Sequence, residues 1–581
     1  MIELTEKQKY IKNQDGIFVI KACAGSGKTI AVAARFAKLY KSWEYTNRGI
    51  AVLSFTNVAW KEIEKFLFTE FRIEEKASNI YPHFLGSIDS FINRYLFLPF
   101  GHIVMNCEDR PKFIGPPYND WDPVEDRENA HYYYGKAECN QNNCKINYIS
   151  YNVNQKLQDF STRPHFPNCG CGHIYCKRVK EQLYRNGYAT QLDANYFAMR
   201  ILEKYNAISK ALVYRFPVLM LDEAQDTSEV QMKIIDLLIE EGLKEVMFIG
   251  DSDQAIYEWR TAKPQLFVEK SEHFHTISLN ESLRSSQKIC DFIQKLSSLD
   301  YKIRAINDEV KDFDFVPEIW GYNEDCYEEI VEKFISLCPE RKIELNNENI
   351  AILVRSEDLL KKISGVKSDV QQSPWKNIFT KEIAQSKYLF TNGNYYKGFN
   401  CLEKTVFKKI KNYYTASEND KKAFIDRYGF KKWRKDIGNI MHNIPETNCK
   451  LGEWIEKANT SLKDIEILDP LEIKIKGGIY KKIYNNLSFD ELFKTESKQV
   501  KKEEYILGTI HSVKGETFEA VLLILKERTT NNRKYINLFN ENISNCEELR
   551  NVYVAITRPK KILVITVPEK DRVKWENKFY N

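Results

Sequence analysis

The chain of 581 residues is 43% hydrophobic and 29% charged, with a formal net charge of +5, values typical of a globular protein with several domains. The mild basic excess is compatible with nucleic acid without establishing it, and no apolar run reaches the length of a membrane span. Because the first residues, MIELTEKQKY, lack the pattern of a secretory signal, we expect a cytoplasmic protein whose 13 cysteines form no disulfide framework.

Residues Val19 to Thr29 read as a buried strand, a glycine-bearing turn and the start of a helix. The turn can direct backbone N–H groups toward an anion, and the positive end of the helix adds to this attraction. A glycine-rich loop without a ligand is the alternative, which the flanking strand and helix disfavour. The sequence therefore predicts a nucleoside-triphosphate site at Ala22, Cys23, Ala24, Gly25, Ser26, Gly27, Lys28 and Thr29. In such a site Lys28 reaches the β- and γ-phosphates, and Thr29 places its hydroxyl on magnesium.

Two short segments flank this loop in sequence. Gln8 lies upstream, and a glutamine amide can pair with both a donor and an acceptor on adenine. Phe55, Thr56 and Asn57 follow an apolar strand, where small hydroxyl and amide side chains suit contacts with a nucleic-acid backbone. Ordinary surface and turn residues are the alternative for both segments.

Residues 92–190 are irregular and contain closely spaced metal-ligand residues. Thiolates and an imidazole at such spacing suit tetrahedral zinc, and a closed set of four would be structural. The predicted ligands are Cys139, Cys144, Cys171 and Cys176, with Cys169 and His173 as substitutes. Free thiols are the main alternative, and redox chemistry is the third.

A second apolar strand ends in Asp222-Glu223, and a third ends in Asp251. Paired carboxylates at a strand end are costly without a cation, so we expect Asp222 to hold magnesium and Glu223 to polarise the attacking water. Downstream, Gln254 is placed to sense the γ-phosphate, while Tyr257 and Trp259 can stack on bases.

The second half of the chain adds a further apolar strand at residues 350–356 and a strand–turn–strand segment around His511. Between them, residues 404–437 interleave lysines with aromatic residues. This pattern fits a nucleic-acid surface, but it fits a solvated helix face equally well.

The motifs AGSGKT, SFTN, GSIDSF, LDEAQDT, IGDSDQAIYEWR, NESLRS, TIHSVKG and YVAITR occur in one order along the chain. In sequence and order they resemble superfamily 1 helicases of the UvrD/Rep/PcrA type. The resemblance implies an α/β protein with two RecA-like P-loop NTPase cores, each carrying a mostly helical insertion. It places core 1 at residues 1–91 and 191–287 around an insertion at 92–190, and core 2 at 288–365 and 501–581 around an insertion at 366–500.

The resemblance also implies roles for residues that match the family motifs. Gln8 would read adenine, and Lys28, Thr29, Asp222 and Glu223 would form the magnesium–ATP site. Gln254 would contact the γ-phosphate, while Arg284 and Arg558 would act as arginine fingers. The implied contacts to single-stranded DNA are Phe55, Thr56, Asn57, Tyr257, Trp259, His511 and Ser512.

Some positions depart from the family pattern. Leu283 and Ile30 occupy positions where the family usually has tyrosine and arginine, so stacking on the base is expected to be weak. Asp89 replaces a common histidine, and the second insertion is short.

The compact size, the Asp89 change and the short second insertion resemble the helicase-like subunit of Gabija-type antiphage systems, which partners an OLD-family nuclease with a TOPRIM domain. Two functions therefore remain open: a helicase moving 3′–5′ on single-stranded DNA, or a DNA-sensing ATPase that regulates a nuclease.

Overall fold

The structure is a computed structural model that describes residues 3–74, 76, 80–115, 148–160, 174–257, 261–323, 327–364, 375, 378–410, 418–463, 465, 473–475, 485, 488, 499–501 and 503–580. The chain forms two compact units, one of residues 1–355, 503–506 and 510–581, the other of residues 356–502 and 507–509. Within the described ranges, no helix is both long enough and apolar enough to cross a membrane.

The first unit contains a parallel sheet of six strands. Their order across the sheet is His275–Leu279, Ile17–Ala22, Glu245–Gly250, Val218–Asp222, Ile50–Ser54 and Phe84–Ser87. Alternate residues face opposite sides, so Val19 packs in one hydrophobic cluster while Phe18 and Ile20 pack in another. Because both faces are covered, the central strands Ile50–Ser54 and Val218–Asp222 are fully buried and mostly apolar, as is typical of parallel sheets.

A second parallel sheet lies in the same unit. Four of its strands are, in order, Glu318–Tyr322, Pro559–Pro568, Phe518–Ile524 and Ile350–Val354. The two sheets are those expected of two RecA-like cores, so the predicted α/β class is confirmed.

Helices cover the sheets, and Thr56, Ser228 and Ser286 cap three of them at the N-terminus with side-chain oxygens. The helices of this unit are Glu6–Asn13, Lys28–Lys41, Asn57–Thr69, Ile88–Ile92, Asn93–Phe97 (a π-helix), Leu98–Met105, Ile174–Arg185, Gln191–Lys204, Asn206–Arg215, Glu229–Glu240, Pro264–His273, Gln287–Gln294, Tyr327–Glu340, Tyr535–Leu538, Glu547–Ile556 and Glu569–Tyr580. Single 3-10 turns occur at Ala224–Asp226, Ser252–Gln254, Ile510–Val513 and Ile543–Asn545. Short strand pairs join Lys112–Phe113 to Tyr188–Ala189, Ile149–Tyr151 to Leu157–Asp159, and Glu281–Ser282 to Arg304–Ala305. The strands Gln499–Lys501 and Ile506–Thr509 precede the turn at Ile510.

The second unit is mostly helical in its described part. Its helices are Glu357–Ile363, Ile378–Thr391, Tyr395–Ile410, Glu418–Tyr428, Phe430–Asn443 and Leu451–Ser461. Trp433 has no exposed surface and donates through Nε1 to Glu403 Oε1 at 2.9 Å. This tryptophan therefore belongs to the core and is not available to stack on a base, although Lys431, Lys432 and Lys435 around it are exposed.

A buried polar network joins two segments of the predicted first insertion to the helix Gln191–Lys204. Lys180 and Asp193 are 0% and 1% exposed and form an ion pair of 2.6 Å. Asp193 also accepts hydrogen bonds from Tyr184 Oη and Ser150 Oγ, each at 2.8 Å. The network joins the helix Ile174–Arg185, the strand at Ser150 and the helix Gln191–Lys204. A buried charge satisfied in this way fixes the relative positions of three elements.

His83 lies beside the strand Ile50–Ser54 and is 7% exposed. Its Nδ1 accepts a hydrogen bond from the Ile50 N–H at 3.1 Å, so Nδ1 carries no proton. Burial, and then the charge of Arg215, lower the pKa of His83 to about 4 from an ordinary value of about 6.5. The folded state therefore favours the neutral ring. The contribution of the neutral His83 ring to the free energy of unfolding is complete above about pH 6.5, and it is lost as the pH falls toward 4.

We expect His83 to lower the free energy of unfolding by up to about 3 kcal/mol between pH 6.5 and pH 4, since each pKa unit corresponds to about 1.4 kcal/mol. Denaturant unfolding across this pH range measures the loss. The His83→Gln variant should show a flatter pH dependence, whereas His275→Gln, which changes an exposed histidine, should keep the wild-type slope. Equal slopes for all three proteins would contradict the expectation.

Candidate functional site: the phosphate-loop cavity

The phosphate loop connects the strand Ile17–Ala22 to the helix Lys28–Lys41. Ser26 Oγ donates to the Cys23 carbonyl at 2.8 Å, and the Cys23 N–H donates to the Leu279 carbonyl at 3.0 Å. Gly25 and Gly27 have φ of +71° and +74°, in a region that residues with side chains rarely adopt. The loop therefore curls back on itself immediately before the positive N-terminus of the helix.

Close packing also requires the two glycines. A Cβ on Gly25 would lie 2.5 Å from Arg284 Cβ, and one on Gly27 would lie 2.6 Å from Gln8 Nε2. Gly16 offers a contrast, because its φ is +83° but nothing lies within 4 Å of its missing Cβ.

We expect Gly27→Ala to weaken ATP binding at least about 10-fold, or about 1.4 kcal/mol, because the new methyl group displaces Gln8 or the loop. Calorimetric titration with a non-hydrolysable ATP analogue measures the affinity. Gly16→Ala is the matched control: it carries the same left-handed strain of about 1–2 kcal/mol without the contact. It should lose thermal stability but keep the wild-type affinity, and equal losses of affinity in both variants would contradict the assignment.

Gln8 lies beneath the loop and is 1% exposed. Its Nε2 donates to the Ser26 carbonyl at 3.1 Å, and its Oε1 accepts from the Thr5 N–H at 3.1 Å. A primary amide has a second N–H and a second lone pair, so the side chain keeps capacity for a base. Its position fits the adenine-reading role, which stays a prediction.

Asp222 and Glu223 end the strand Val218–Asp222, at the same edge of the sheet as the phosphate loop. Burial, and then the charge of Glu223, raise the pKa of Asp222 to about 8. Burial also acts to raise the pKa of Glu223, but the charges of Lys28 and Lys514 outweigh it and hold that pKa below its usual value. Glu223 is therefore ionised near neutral pH, as a residue that polarises water must be.

The surroundings of Asp222 fit a magnesium ion. Its Oδ2 is buried and has no hydrogen-bond partner among the described residues, and burying such an oxygen is costly unless a cation is present. Thr29 lines the adjoining cavity. In the described part of the chain, no cluster of three or more His, Cys, Asp or Glu side chains could hold a metal. Magnesium does not need one, because it is commonly bound by one or two protein oxygens together with phosphates and water.

Lys514 connects Asp226, which follows Asp222 and Glu223, to the backbone at Gln254. Its Nζ contacts Asp226 Oδ2 at 2.6 Å and donates to the Gln254 carbonyl at 3.0 Å. Burial raises the pKa of Asp226 to about 6, although Lys514 opposes this shift. Lys514 lies in the motif TIHSVKG, and its role could not be read from the sequence because its two partners lie 288 and 260 positions away.

Two arginines approach the cavity from outside the phosphate-loop segment. Arg558 is 1% exposed, and its Nη2 donates to Gln254 Oε1 at 3.1 Å. Arg284 Nη1 donates to the Thr557 carbonyl at 2.9 Å. Burial, and then the charge of Arg284, lower the pKa of Arg558 to about 9, so it stays protonated at neutral pH. The two predicted fingers therefore lie close enough to influence each other.

These groups surround a cavity of about 430 Å³. Among the predicted residues that line it are Gly25, Ser26, Gly27, Lys28, Thr29, Thr56, Glu223, Gln254, Tyr257, Arg284, His511, Ser512 and Arg558. Glu62, on the helix Asn57–Thr69, also lines the cavity and was not predicted. Burial raises the pKa of Glu62, and the charge of Arg284 opposes that shift. Nothing in the helical pattern around Glu62 distinguishes it from a surface glutamate.

Four of the predicted single-strand contacts line this cavity, namely Thr56, Tyr257, His511 and Ser512. The rings of Phe55 and Tyr257 lie 5.2 Å apart, and those of Tyr257 and His511 lie 6.4 Å apart. Lys514 Nζ lies 4.5 Å from the Tyr257 ring. Thr56 Oγ1 accepts the Ala59 N–H at 3.2 Å, and Asn57 Oδ1 accepts from Trp60 Nε1 at 3.0 Å. The structure therefore brings Phe55, Tyr257 and His511 together. Thr56 and Asn57 make local contacts at the start of the helix, and Trp259 lies outside the described residues.

Family models match both halves of the chain. A model of the UvrD/REP helicase N-terminal domain matches residues 4–275, and a model of the UvrD-like helicase C-terminal domain matches residues 376–570. The chain belongs to the UvrD/Rep/PcrA-type family of superfamily 1. The resemblance carried by the motifs is confirmed.

UvrD-type relatives are similar to the chain at modest identity. It is 25% identical over 408 residues to the ATP-dependent DNA helicase Rep of Buchnera aphidicola (subspecies Acyrthosiphon pisum), covering 60% of this chain and 62% of Rep. It is 25% identical over 298 residues to the ATP-dependent DNA helicase PcrA of Staphylococcus epidermidis, covering 49% of this chain and 38% of PcrA. The chain thus spans less than two thirds of the length of these two relatives. A probable DNA helicase II homolog of Mycoplasma genitalium is 23% identical over 630 residues, covering 97% of this chain and 84% of that protein.

The departures from the UvrD-type pattern have visible surroundings. Ile30 and Leu283 line the cavity, and a Cβ on Gly27 would lie 3.7 Å from Ile30 Cδ1 and 3.2 Å from Leu283 Cδ1. The wall beside Gln8 is therefore aliphatic. Asp89 Oδ1 accepts from Asn195 Nδ2 at 3.1 Å and from Gln231 Nε2 at 2.7 Å, so this acid is held by neutral amides.

The structure does not describe the side chains of the predicted zinc ligands. Cys139, Cys144, Cys169, Cys171 and His173 lie outside the described residues. Cys176 belongs to the helix Ile174–Arg185, but the structure does not describe its side chain. The zinc site stays a prediction from spacing.

Proposed function

We propose that the chain is an ATP-dependent DNA helicase or translocase that hydrolyses magnesium–ATP in the phosphate-loop cavity and moves 3′–5′ on single-stranded DNA. The observation that carries the proposal is the contact of Arg558 with Gln254. It joins an arginine that immediately precedes the strand Pro559–Pro568 of the second sheet to a residue that follows the strand Glu245–Gly250 of the first sheet. Such an arginine can stabilise charge on a transferring phosphoryl group only while the two sheets are held together.

In this proposal each group has a chemical task. The loop N–H groups and Lys28 hold the triphosphate, while Thr29 and Asp222 would hold magnesium, which supplies charge neutralisation at the phosphates when bound. Glu223 orients and polarises the attacking water. Gln254 would sense the γ-phosphate, and Phe55, Tyr257 and His511 would contact bases or backbone of the DNA strand. Relative movement of the two cores with each hydrolysis would provide the step.

The test is an ATPase assay with and without single-stranded DNA, beside strand displacement on duplexes with a 3′ or a 5′ single-stranded tail. DNA-stimulated hydrolysis with unwinding from the 3′ tail is the expected result. Unwinding from the 5′ tail would contradict the direction, and absence of hydrolysis under all conditions would contradict the function.

The second candidate is a DNA-sensing ATPase within an antiviral complex that regulates an OLD/TOPRIM-type nuclease in the cytoplasm. The short second insertion at residues 366–500 favours this candidate, since it leaves few residues for a subdomain that would bind duplex DNA. DNA-stimulated hydrolysis without strand displacement, together with copurification of a nuclease, would support this candidate over the motor.

We also propose a structural zinc site in the first insertion, supported by the spacing of its cysteines alone. Metal analysis of the purified protein tests it. We expect one zinc ion per chain in the wild type and none in Cys171→Ser. Zinc-free wild-type protein of normal stability would contradict the proposal.

A further inference from the structure

Arg550 lies within the helix Glu547–Ile556 and has no exposed surface (0%). Its Nε donates to the Ala255 carbonyl at 2.6 Å, and its Nη1 donates to the carbonyls of Ile543 at 2.9 Å and Ser544 at 2.8 Å. A guanidinium presents its donors in one rigid plane, so these bonds hold it in a single orientation. The backbone at Ala255 is thereby tied to this helix.

The same helix leads directly to Arg558. Arg558 holds the side chain of Gln254, while Arg550 holds the carbonyl of the next residue, Ala255. Lys514 adds a third bond, to the Gln254 carbonyl at 3.0 Å. Two neighbouring residues are thus bound by three cationic side chains from the second half of the chain.

The residues between Ala255 and the proposed DNA contact at Tyr257 are closely packed. Ile256 is 0% exposed and packs in the hydrophobic cluster that contains Val552 and Tyr553. Tyr257 comes next, with its ring against Phe55. A shift of the helix Glu547–Ile556 must therefore move the backbone that carries Tyr257, because the interior is close-packed.

We propose that Arg550 is a positioning residue that couples the nucleotide state of the cavity to the single-strand contact at Tyr257. The link runs from Arg558, along the helix to Arg550, and through the Ala255 carbonyl to Tyr257. It rests on the proposed ATP-dependent action on DNA. Arg550 is not among the residues that line the cavity, and its effect is exerted through the Ala255 carbonyl.

The test variant is Arg550→Lys, which keeps the charge but loses the planar fork that reaches several carbonyls at once. The readouts are basal ATPase, DNA-stimulated ATPase, and affinity for single-stranded DNA with a non-hydrolysable ATP analogue or with ADP. We expect basal kcat to stay within about 2-fold, DNA stimulation to fall about 10-fold, and the difference in DNA affinity between nucleotide states to disappear, as for loss of a coupling free energy of about 1–3 kcal/mol. Arg533→Lys, at a residue 52% exposed, is the matched control and should behave as wild type.

Full DNA stimulation in Arg550→Lys, or a parallel fall of basal and stimulated rates, would overturn the coupling role. A wild-type protein whose hydrolysis ignores DNA would instead contradict the proposed function, so the two failures are distinguishable. If the variant does not fold, hydrogen exchange of the wild type decides. The amides at Ala255, Ile256 and Tyr257 should change protection together with the helix Glu547–Ile556 when the ATP analogue binds, and unchanged protection would overturn the proposal.

Discussion

Arg558→Lys is expected to lower kcat for ATP hydrolysis about 10³-fold, the lower end of the effect of an arginine finger, with a smaller change in KM. The guanidinium donates at once to Gln254 Oε1, to the Val554 carbonyl at 2.9 Å and to the Glu516 carbonyl at 3.3 Å. An ammonium group cannot reach these acceptors together. Steady-state kinetics with saturating single-stranded DNA measure the change.

The environment of Arg558 adds a pH dependence to this variant. Burial and the charge of Arg284 lower the pKa of Arg558 to about 9, and lysine begins from an ordinary pKa about 2 units lower than arginine. A lysine here would lose its proton near neutral pH, so kcat of the variant should rise as the pH falls from 8.5 to 6.5. Arg572→Lys, at a residue 42% exposed, is the control. A flat pH profile with near-normal kcat would show that Arg558 acts at a distance from the phosphates.

Glu223→Gln is expected to lower kcat at least about 100-fold while ATP still binds, because general-base assistance typically contributes 10²–10⁴-fold. The amide is similar in shape but cannot accept a proton. The substitution removes a negative charge beside Lys28 and Lys514, so KM for ATP should be unchanged or lower. Single-turnover hydrolysis, with analogue binding measured separately, distinguishes chemistry from affinity.

Glu240→Gln is the matched control for this substitution. Glu240 is 62% exposed and lies 3.2 Å from Lys233, and a surface pair of this kind contributes little to stability. The control should retain wild-type kcat. If Glu223→Gln lost ATP binding and hydrolysis in parallel, the residue would have to be assigned to nucleotide binding in place of catalysis.

The ATP site shows how far local sequence reaches. The run from Val19 to Thr29 predicts its own turn, since Gly25 and Gly27 in it both have a left-handed φ. Their close contacts with Arg284 and Gln8 come from the tertiary structure. The apolar strands ending at Ser54 and Asp222 likewise predict a parallel sheet with its polar residues at one edge. Local sequence suffices for such predictions because the turn is set by the φ angles of neighbouring residues, and each buried strand is indicated by its own apolar run.

Residues such as Glu62 and Arg550 could not be assigned in this way. Each lies on a helix with an ordinary pattern, and its meaning depends on a partner distant in sequence. Arg550 gains its role from the Ala255 carbonyl, and Lys514 gains its role from Asp226 and Gln254. A carbonyl acceptor has no sequence signature, so no motif could have indicated these contacts. Similarly, Trp433 in the basic helical region suggested stacking by composition, and only its burial against Glu403 assigns it to a core.

The sequence by itself determined the family, the α/β class and the phosphate-binding loop, because motif order and turn chemistry are properties of the chain. The tertiary structure decided which charges face one another. It places Arg558 against Gln254, holds Ala255 to the helix of Arg550, and leaves Asp222 Oδ2 buried and unpaired among the described residues. The energy between two charges falls with the distance between them and rises when they are buried, so it depends on folded distances and burial that residue order does not contain.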